Sequence, residues 1–177
     1  MKIIIIGINK INKIDIAKYI IEHNDELSIV PSFTSDEYYK NKISEDYIYY
    51  LNPNTIDLSY KNNAFLFIET KDYISKGITS DDFYNNDILC LSLENFNNII
   101  DKELQTNENI IIWVDTKFHG SENITNEINE TKYVLQRLEK YNYMYFLDES
   151  NELINEVIYK YINSNEEVRK LLLEEYC

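Results

Sequence analysis

The stretch IIIIGINKINKID, residues 3–15, decides the fold together with the eight residues that follow it. Residues 3–6 are four consecutive isoleucines, a β-branched run that is typical of a parallel strand buried on both faces. Gly7 bounds this run. Residues 15–23 then show helical spacing, with one apolar stripe formed by Ile16, Ala17, Ile20 and Ile21. The stretch therefore predicts a buried strand, a loop and a helix in immediate succession.

Apolar runs and helical spacing alternate along the rest of the chain. The runs predict strands at residues 27–30, 88–91, 110–114 and 143–147, and the helical spacing predicts helices at residues 95–104, 124–138 and 153–162. Such alternation indicates an α/β protein with a mostly parallel sheet flanked by helices. The less regular residues 33–80 are expected to form an insert lobe over one end of the sheet. With no internal repeat or linker, residues 1–177 are expected to be a single domain.

The composition narrows the classes of partner. A formal net charge of −14 disfavours direct binding to nucleic acid, because each phosphate contact needs a basic residue. Cys90 and Cys177 are too few for a disulfide framework, and no apolar stretch approaches the ~18 residues of a membrane span. We therefore expect a cytoplasmic protein with no membrane association. His23 and His119 lack nearby Cys or His, so no metal site is expected.

The loop after the first strand is related to a phosphate-binding loop. That pattern is Gly, four residues, Gly, Lys, then Ser or Thr, whereas this chain has Gly7, four residues, Asn12, Lys13 and Ile14. Lys13 is the full match, and its two interpretations are a charge on bound phosphates or a solvated residue in the first turn of a helix. Lys10 and Asn12 stand where glycines let backbone N–H groups turn towards a phosphate.

The order of these motifs resembles guanylate kinase over nearly the whole chain. In that family a phosphate loop is followed by a Ser/Thr-rich turn, here LSIVPSFTSDE, and by a nucleotide-monophosphate insert, here DYIYYLNPNTIDLSYKNNAFLFIE. DILCLSLE resembles the strand that carries the Walker B acid. Residues 124–162 resemble the closing helix, strand and helix, and residues 117–137 correspond to the lid.

The resemblance implies roles for particular residues. An active guanylate or deoxyguanylate kinase would use ATP and Mg²⁺, with Lys13, Lys132 and Arg137 acting on the transferred phosphoryl group. Candidate nucleotide-binding residues are Gly7, Asn12, Lys13, Tyr47, Glu69, Tyr73 and Thr79. For each of those in the insert, a structural role is favoured over ligand binding.

The chain departs from the family where the chemistry takes place. Ile14 replaces the Mg²⁺-binding hydroxyl, Cys90 and Ser92 stand where the family has aspartates, and the chain has only two arginines. These losses favour a non-catalytic descendant over the kinase. Its expected partner is a protein with a basic surface, such as a sliding clamp blocked by DNA mimicry in the manner of a phage or viral inhibitor. Candidate partner-binding residues are Asp81, Asp82, Glu122, Glu127 and Glu130, and a homodimer is compatible with the sequence.

Overall fold

The computed structural model describes residues 1–7, 12–40, 47–103, 109–115, 134, 136, 138, 141–147 and 149–176, and of residues 100–103 only the backbone. The chain divides into two compact units. The first contains Met1–Leu27 and Cys90–Cys177, and the second contains Ser28–Leu89.

Both units contain strands and helices. Their order among the described residues is β1 (Ile3–Gly7), α1 (Lys13–Glu22), β2 (Ser32–Thr34), a 3₁₀ turn (Glu37–Tyr39), β3 (Ile48–Tyr50), α2 (Pro53–Lys61), β4 (Phe65–Lys71), β5 (Ile74–Thr79), α3 (Ser80–Asn85), β6 (Ile88–Ser92), α4 (Leu93–Glu103), β7 (Ile110–Asp115), β8 (Tyr143–Leu147), α5 (Asn151–Ile162) and α6 (Glu166–Tyr176). The predicted α/β class is confirmed.

The main sheet has the order β6-β1-β7-β8. β1 pairs in parallel with β7, and β7 pairs in parallel with β8. Every residue of β1 and β7 is buried, which explains why their sequences are continuous apolar runs rather than alternating ones. The two predicted interior strands are therefore central in the sheet.

Helices of the first unit bury one stripe each. α1 buries Ile16, Ala17 and Ile20, as the spacing predicts. α5 begins at the N-cap Ser150, whose hydroxyl accepts a hydrogen bond from the Leu153 amide, and it buries four residues at helical spacing. Val134 and Leu138, from the predicted helix 124–138, are also buried.

The strand predicted at residues 27–30 is wrong in extent. Only an isolated parallel bridge between Ile29 and Ile88 forms there, and the next strand is β2. The Asp87 carboxylate accepts hydrogen bonds from the amide and hydroxyl of Ser28, and Pro31 has no N–H for a ladder. These two features limit the pairing to a single bridge.

The second unit has its own mixed sheet, with the order β3-β2-β5-β4. β2 is parallel to β3 and antiparallel to β5, and β4 and β5 form an antiparallel hairpin. Asp72 and Tyr73 form its two-residue turn with φ of 50° and 65°, the left-handed values that a type I′ turn requires. Phe33 lies in the core of this unit, with its ring centroid 4.9 Å from that of Phe65.

Among the described residues, no helix has both the length and the apolar character needed to cross a bilayer.

Candidate functional site

The candidate phosphate site lies at the carboxyl end of β1. Gly7 is the last residue of that strand and pairs with Val114 of β7. α1 begins at Lys13, preceded by the N-cap Asn12, whose side chain makes no capping hydrogen bond. The Lys13 ammonium donates to the Gly7 carbonyl oxygen at 3.5 Å, so the lysine side chain turns back over the end of β1.

Lys13 and Cys90 are electrostatically linked. Burial lowers the pKa of Lys13 from its ordinary value, while Cys90 acts in the opposite direction. Burial raises the pKa of Cys90 to about 12, against the opposing effect of the Lys13 charge. The Cys90 thiol donates to the Lys13 carbonyl at 3.4 Å. β6 therefore presents a neutral thiol to the first residue of α1.

A carboxylate of the chain itself occupies the first turn of α1. Asp15 accepts a hydrogen bond from the Asn12 side-chain amide at 2.6 Å, and the Asp15 backbone amide donates to the Asn12 carbonyl at 3.1 Å. Negative charge is favourable at a helix N-terminus, which is also where an incoming phosphate would bind. Asp15 thus supplies that charge from within the chain.

Asp115 is a further candidate site residue, which the sequence motifs did not identify. It ends β7 with only 6% of its surface exposed, and the Tyr145 hydroxyl donates to it at 3.4 Å. It follows Val114, the residue opposite Gly7, so Asp115 and Lys13 belong to the same edge of the sheet. The sequence does contain a signal for it, a carboxylate directly after the apolar run IIIWV. Ligands of open α/β sheets bind outside the carboxyl ends of the strands, so an acid at that position is a candidate site residue.

Magnesium ions prefer oxygen ligands, which Ile14 and Cys90 beside Lys13 do not supply. Ile14 has no hydroxyl, and β6 provides the neutral side chains of Cys90 and Ser92. In the described part of the chain no group of three or more His, Cys, Asp or Glu side chains is placed to hold a metal ion.

Two of the candidate nucleotide residues of the insert, Tyr73 and Thr79, lie at opposite ends of β5. Tyr73 is 100% exposed at the tip of the β4–β5 hairpin, and Thr79 lies at the other end of β5. Six strand residues span about 20 Å, which is the separation of the two residues along the strand. Glu69 is exposed on β4 opposite Lys76, and the Tyr47 carbonyl accepts from the Ser32 amide at 2.9 Å.

Thr79 has a structural role as the N-cap of α3. Its hydroxyl accepts from the Asp82 amide at 3.0 Å and donates to the Asp82 carboxylate at 2.6 Å. The Tyr49 hydroxyl donates to the same carboxylate oxygen at 2.8 Å. Asp82 is therefore held inside its own unit, whereas Asp81 is exposed.

The remaining predicted site residues belong to the part of the chain that the structure does not describe. Lys132 and Arg137 of the lid-like region, and Glu122, Glu127 and Glu130 of the acidic candidates, lie outside the described residues.

Comparison with solved structures shows a similar fold in a known enzyme. The crystal structure of guanylate kinase from Anaplasma phagocytophilum is similar to this chain with a TM-score of 0.58, over 99% of this chain and 86% of that one. The fold is guanylate kinase-like. The two sequences are 10% identical, so the likeness carries the fold alone. No protein-family model matches the chain, and no curated protein sequence matches it.

Proposed function

We propose that this chain is a non-catalytic protein of guanylate kinase-like fold that acts by binding a protein partner with a basic surface. The observation that carries the proposal is the Asp15 carboxylate in the first turn of α1, held by Asn12 at 2.6 Å. A second negative charge beside a triphosphate is repulsive, and a helix N-terminus that already has a carboxylate attracts an anion less.

Two further features support the loss of catalysis. Phosphoryl transfer depends on positioned cations and a metal ion that stabilise charge in the transition state. Ile14 supplies no hydroxyl for that metal, and the Cys90 thiol, with its pKa of about 12, stays neutral at physiological pH.

The proposed partner class follows from charge. With 31 acidic and 17 basic residues, the chain is expected to repel nucleic acid and to be steered towards a basic protein surface. A surface that presents carboxylates where DNA presents phosphates would occupy the DNA-binding channel of a replication factor such as a sliding clamp. Inhibition of this kind suits a phage or viral protein. Asp81 is the candidate contact that the described residues offer, because Asp82 is engaged by Thr79 and Tyr49.

Calorimetry tests the nucleotide part of the proposal. ATP and GMP are titrated into the protein with and without Mg²⁺, and into a Lys13→Ala variant. We expect no saturable binding at micromolar concentration. ATP binding that needs Mg²⁺ and disappears in Lys13→Ala would overturn the non-catalytic assignment.

Capture from a cell lysate tests the partner part. The immobilised protein should retain a DNA-binding protein, and added duplex DNA or salt should release it, because steering by exposed charges is screened beyond ~8 Å at physiological ionic strength. Asp81→Lys should weaken capture more than Asp57→Lys, an equal change of charge at an exposed position of α2. Capture indifferent to both DNA and salt would remove the case for DNA mimicry.

A second candidate is a divergent (deoxy)guanylate kinase that uses ATP and Mg²⁺. The observation in its favour is the position of Lys13, whose ammonium lies over the Gly7 carbonyl at the end of β1, where a phosphate loop places its lysine. Lys132 and Arg137 would then act on the phosphoryl group. Formation of ADP from ATP with GMP or dGMP, lost in Lys13→Ala, would establish this activity in place of the first.

A further inference from the structure

A groove of about 820 Å³ opens on the first unit, away from the residues considered so far. Its wall includes Met1, which precedes β1, and Asn142, which precedes β8. Because β1, β7 and β8 are parallel, the groove lies at the amino-terminal edge of the sheet, whereas Gly7 and Lys13 lie at the carboxyl-terminal edge. The groove is therefore separate from the candidate phosphate site.

Arg169 is held rigidly at this groove. Its Nε donates to the Tyr161 carbonyl and its Nη2 to the Ile162 carbonyl, each at 2.9 Å, so the guanidinium caps the end of α5. The guanidinium carbon also lies 5.3 Å from the centroid of the Tyr161 ring. These contacts use two of five N–H donors and leave three for a ligand or water. A guanidinium fixed in this way loses little conformational entropy when it binds an anion.

The charges of the groove differ from those of the chain as a whole. Arg169 and the exposed Lys170 line it together with one carboxylate, Glu166, one helical turn before Lys170. The groove thus has an excess of positive charge in a chain of net charge −14. Such a site favours an anion, and a ligand with more than one or two charges would be opposed by Glu166 and by the field of the chain.

Apolar side chains form another part of the wall. Ile162 and Leu173 are both partly buried and line the groove with the Tyr161 ring. Ligand sites typically combine a mostly apolar lining with a few placed polar groups, in volumes of about 300–1,000 Å³. The groove has that size, and its lining is divided about equally between polar and apolar surface.

We propose that this groove binds a small organic anion, a carboxylate or phosphate ester whose apolar body packs on Ile162 and Leu173 while its charge meets Arg169 and Lys170. This site is independent of the proposed function, since it shares no residue with the α1 loop or with Asp81.

Titration followed by ¹H–¹⁵N NMR tests the proposal, with phenyl phosphate and phenylacetate as probes. Benzyl alcohol lacks the charge and inorganic phosphate lacks the apolar body, so neither should saturate over the same concentrations. We expect saturable shifts of α6 amides with at least one of the two organic anions, and the stronger probe tells phosphate esters from carboxylates.

Charge variants make the test specific. Lys170→Gln should weaken binding about threefold to tenfold, and Glu166→Gln should strengthen it by a similar factor, because the two residues act on the anion with opposite sign. Lys76→Gln, on β5 and outside the groove lining, should leave it unchanged. Absence of saturation with both organic anions, or equal weakening by all three variants, would overturn the proposal. Circular dichroism checks that each variant is folded.

Discussion

The Asn12 side-chain amide holds the Asp15 carboxylate at 2.6 Å across the first turn of α1. The pair places a carboxylate of the chain at the positive end of the helix dipole, where negative charge is favourable. Its consequences can be measured separately from any catalytic assay.

Replacing Asp15 by Asn should change anion affinity and stability in opposite directions. Loss of the carboxylate from the first turn should cost about 0.3–1 kcal/mol of unfolding free energy, and it should raise the affinity of the loop for sulfate or ATP about twofold to fivefold. Denaturant unfolding and calorimetry measure the two effects. Asp57→Asn, which removes an exposed acid from α2, is the control for net charge. Equal affinity gains in both variants would show that Asp15 has no local effect.

The Cys90 thiol should be slow to react in the folded protein. Its pKa of about 12 stands above the ordinary value of 9.0, because burial disfavours the thiolate. The thiolate fraction at pH 8 should therefore be about a hundredfold to a thousandfold lower than in the unfolded chain. Alkylation by iodoacetamide, followed by mass spectrometry in a Cys177→Ser variant, measures this ratio. Rates within a few-fold of each other, with and without denaturant, would contradict it.

The raised pKa of Cys90 also makes the stability of the protein depend on pH. Because the pKa is higher in the folded than in the unfolded state, the protonated thiol makes its full contribution to the free energy of unfolding below pH 9, and this contribution is lost as the pH rises towards 12.

Gly77 should tolerate no side chain. A Cβ at this position would collide with the Phe67 carbonyl oxygen of β4 and with the Phe33 ring. The carbonyl belongs to the backbone of the neighbouring strand, so relief requires the β4–β5 pairing to shift. Gly77→Ala should therefore cost about 1–3 kcal/mol or more of unfolding free energy, while Lys76→Ala at the adjacent exposed position should be nearly neutral. Matching denaturation midpoints for the two variants would contradict the close approach.

The central strands could be predicted from the sequence because burial on both faces leaves a continuous apolar run. β8, at Tyr143–Leu147, has the predicted bounds, and β1 and β7 each extend one residue beyond them. The strand predicted at residues 27–30 was wrong in extent because the carboxylate of Asp87, 59 residues from Ser28 in the chain, accepts hydrogen bonds from the Ser28 amide and hydroxyl, and no local pattern reveals this contact.

The candidate site was less predictable because its contacts are made in three dimensions. Asp115 is a single acid after an apolar run, and only the register of β1 with β7 places it beside Gly7. Thr79 is a candidate nucleotide contact by resemblance, but Thr79-Ser80-Asp81-Asp82 also contains the spacing of a helix N-cap followed three residues later by an acid. That local signal predicts the observed cap.

Tyr49 and Asp82 provide the last prediction, which concerns alkaline pH. The pKa of Tyr49 is raised above its ordinary 10.0 by burial, and further by its hydrogen bond to Asp82 and by the charge of that carboxylate. Because the pKa is higher in the folded than in the unfolded state, the protonated phenol makes its full contribution to the free energy of unfolding below pH 10, and this contribution is lost as the pH rises further.

At pH 7, Tyr49→Phe should lower the free energy of unfolding by about 1–2 kcal/mol, because the phenol donates to a charged and partly buried acceptor. Above pH 10 the wild-type protein should lose stability faster than Tyr49→Phe, which has no proton to release, so the two unfolding curves should converge. Tyr60→Phe removes an exposed hydroxyl and should follow the wild type throughout. Thermal melts at pH 7, 9 and 10.5 make the comparison, and a constant gap between wild type and Tyr49→Phe across this range would show that the Tyr49 proton is not coupled to folding.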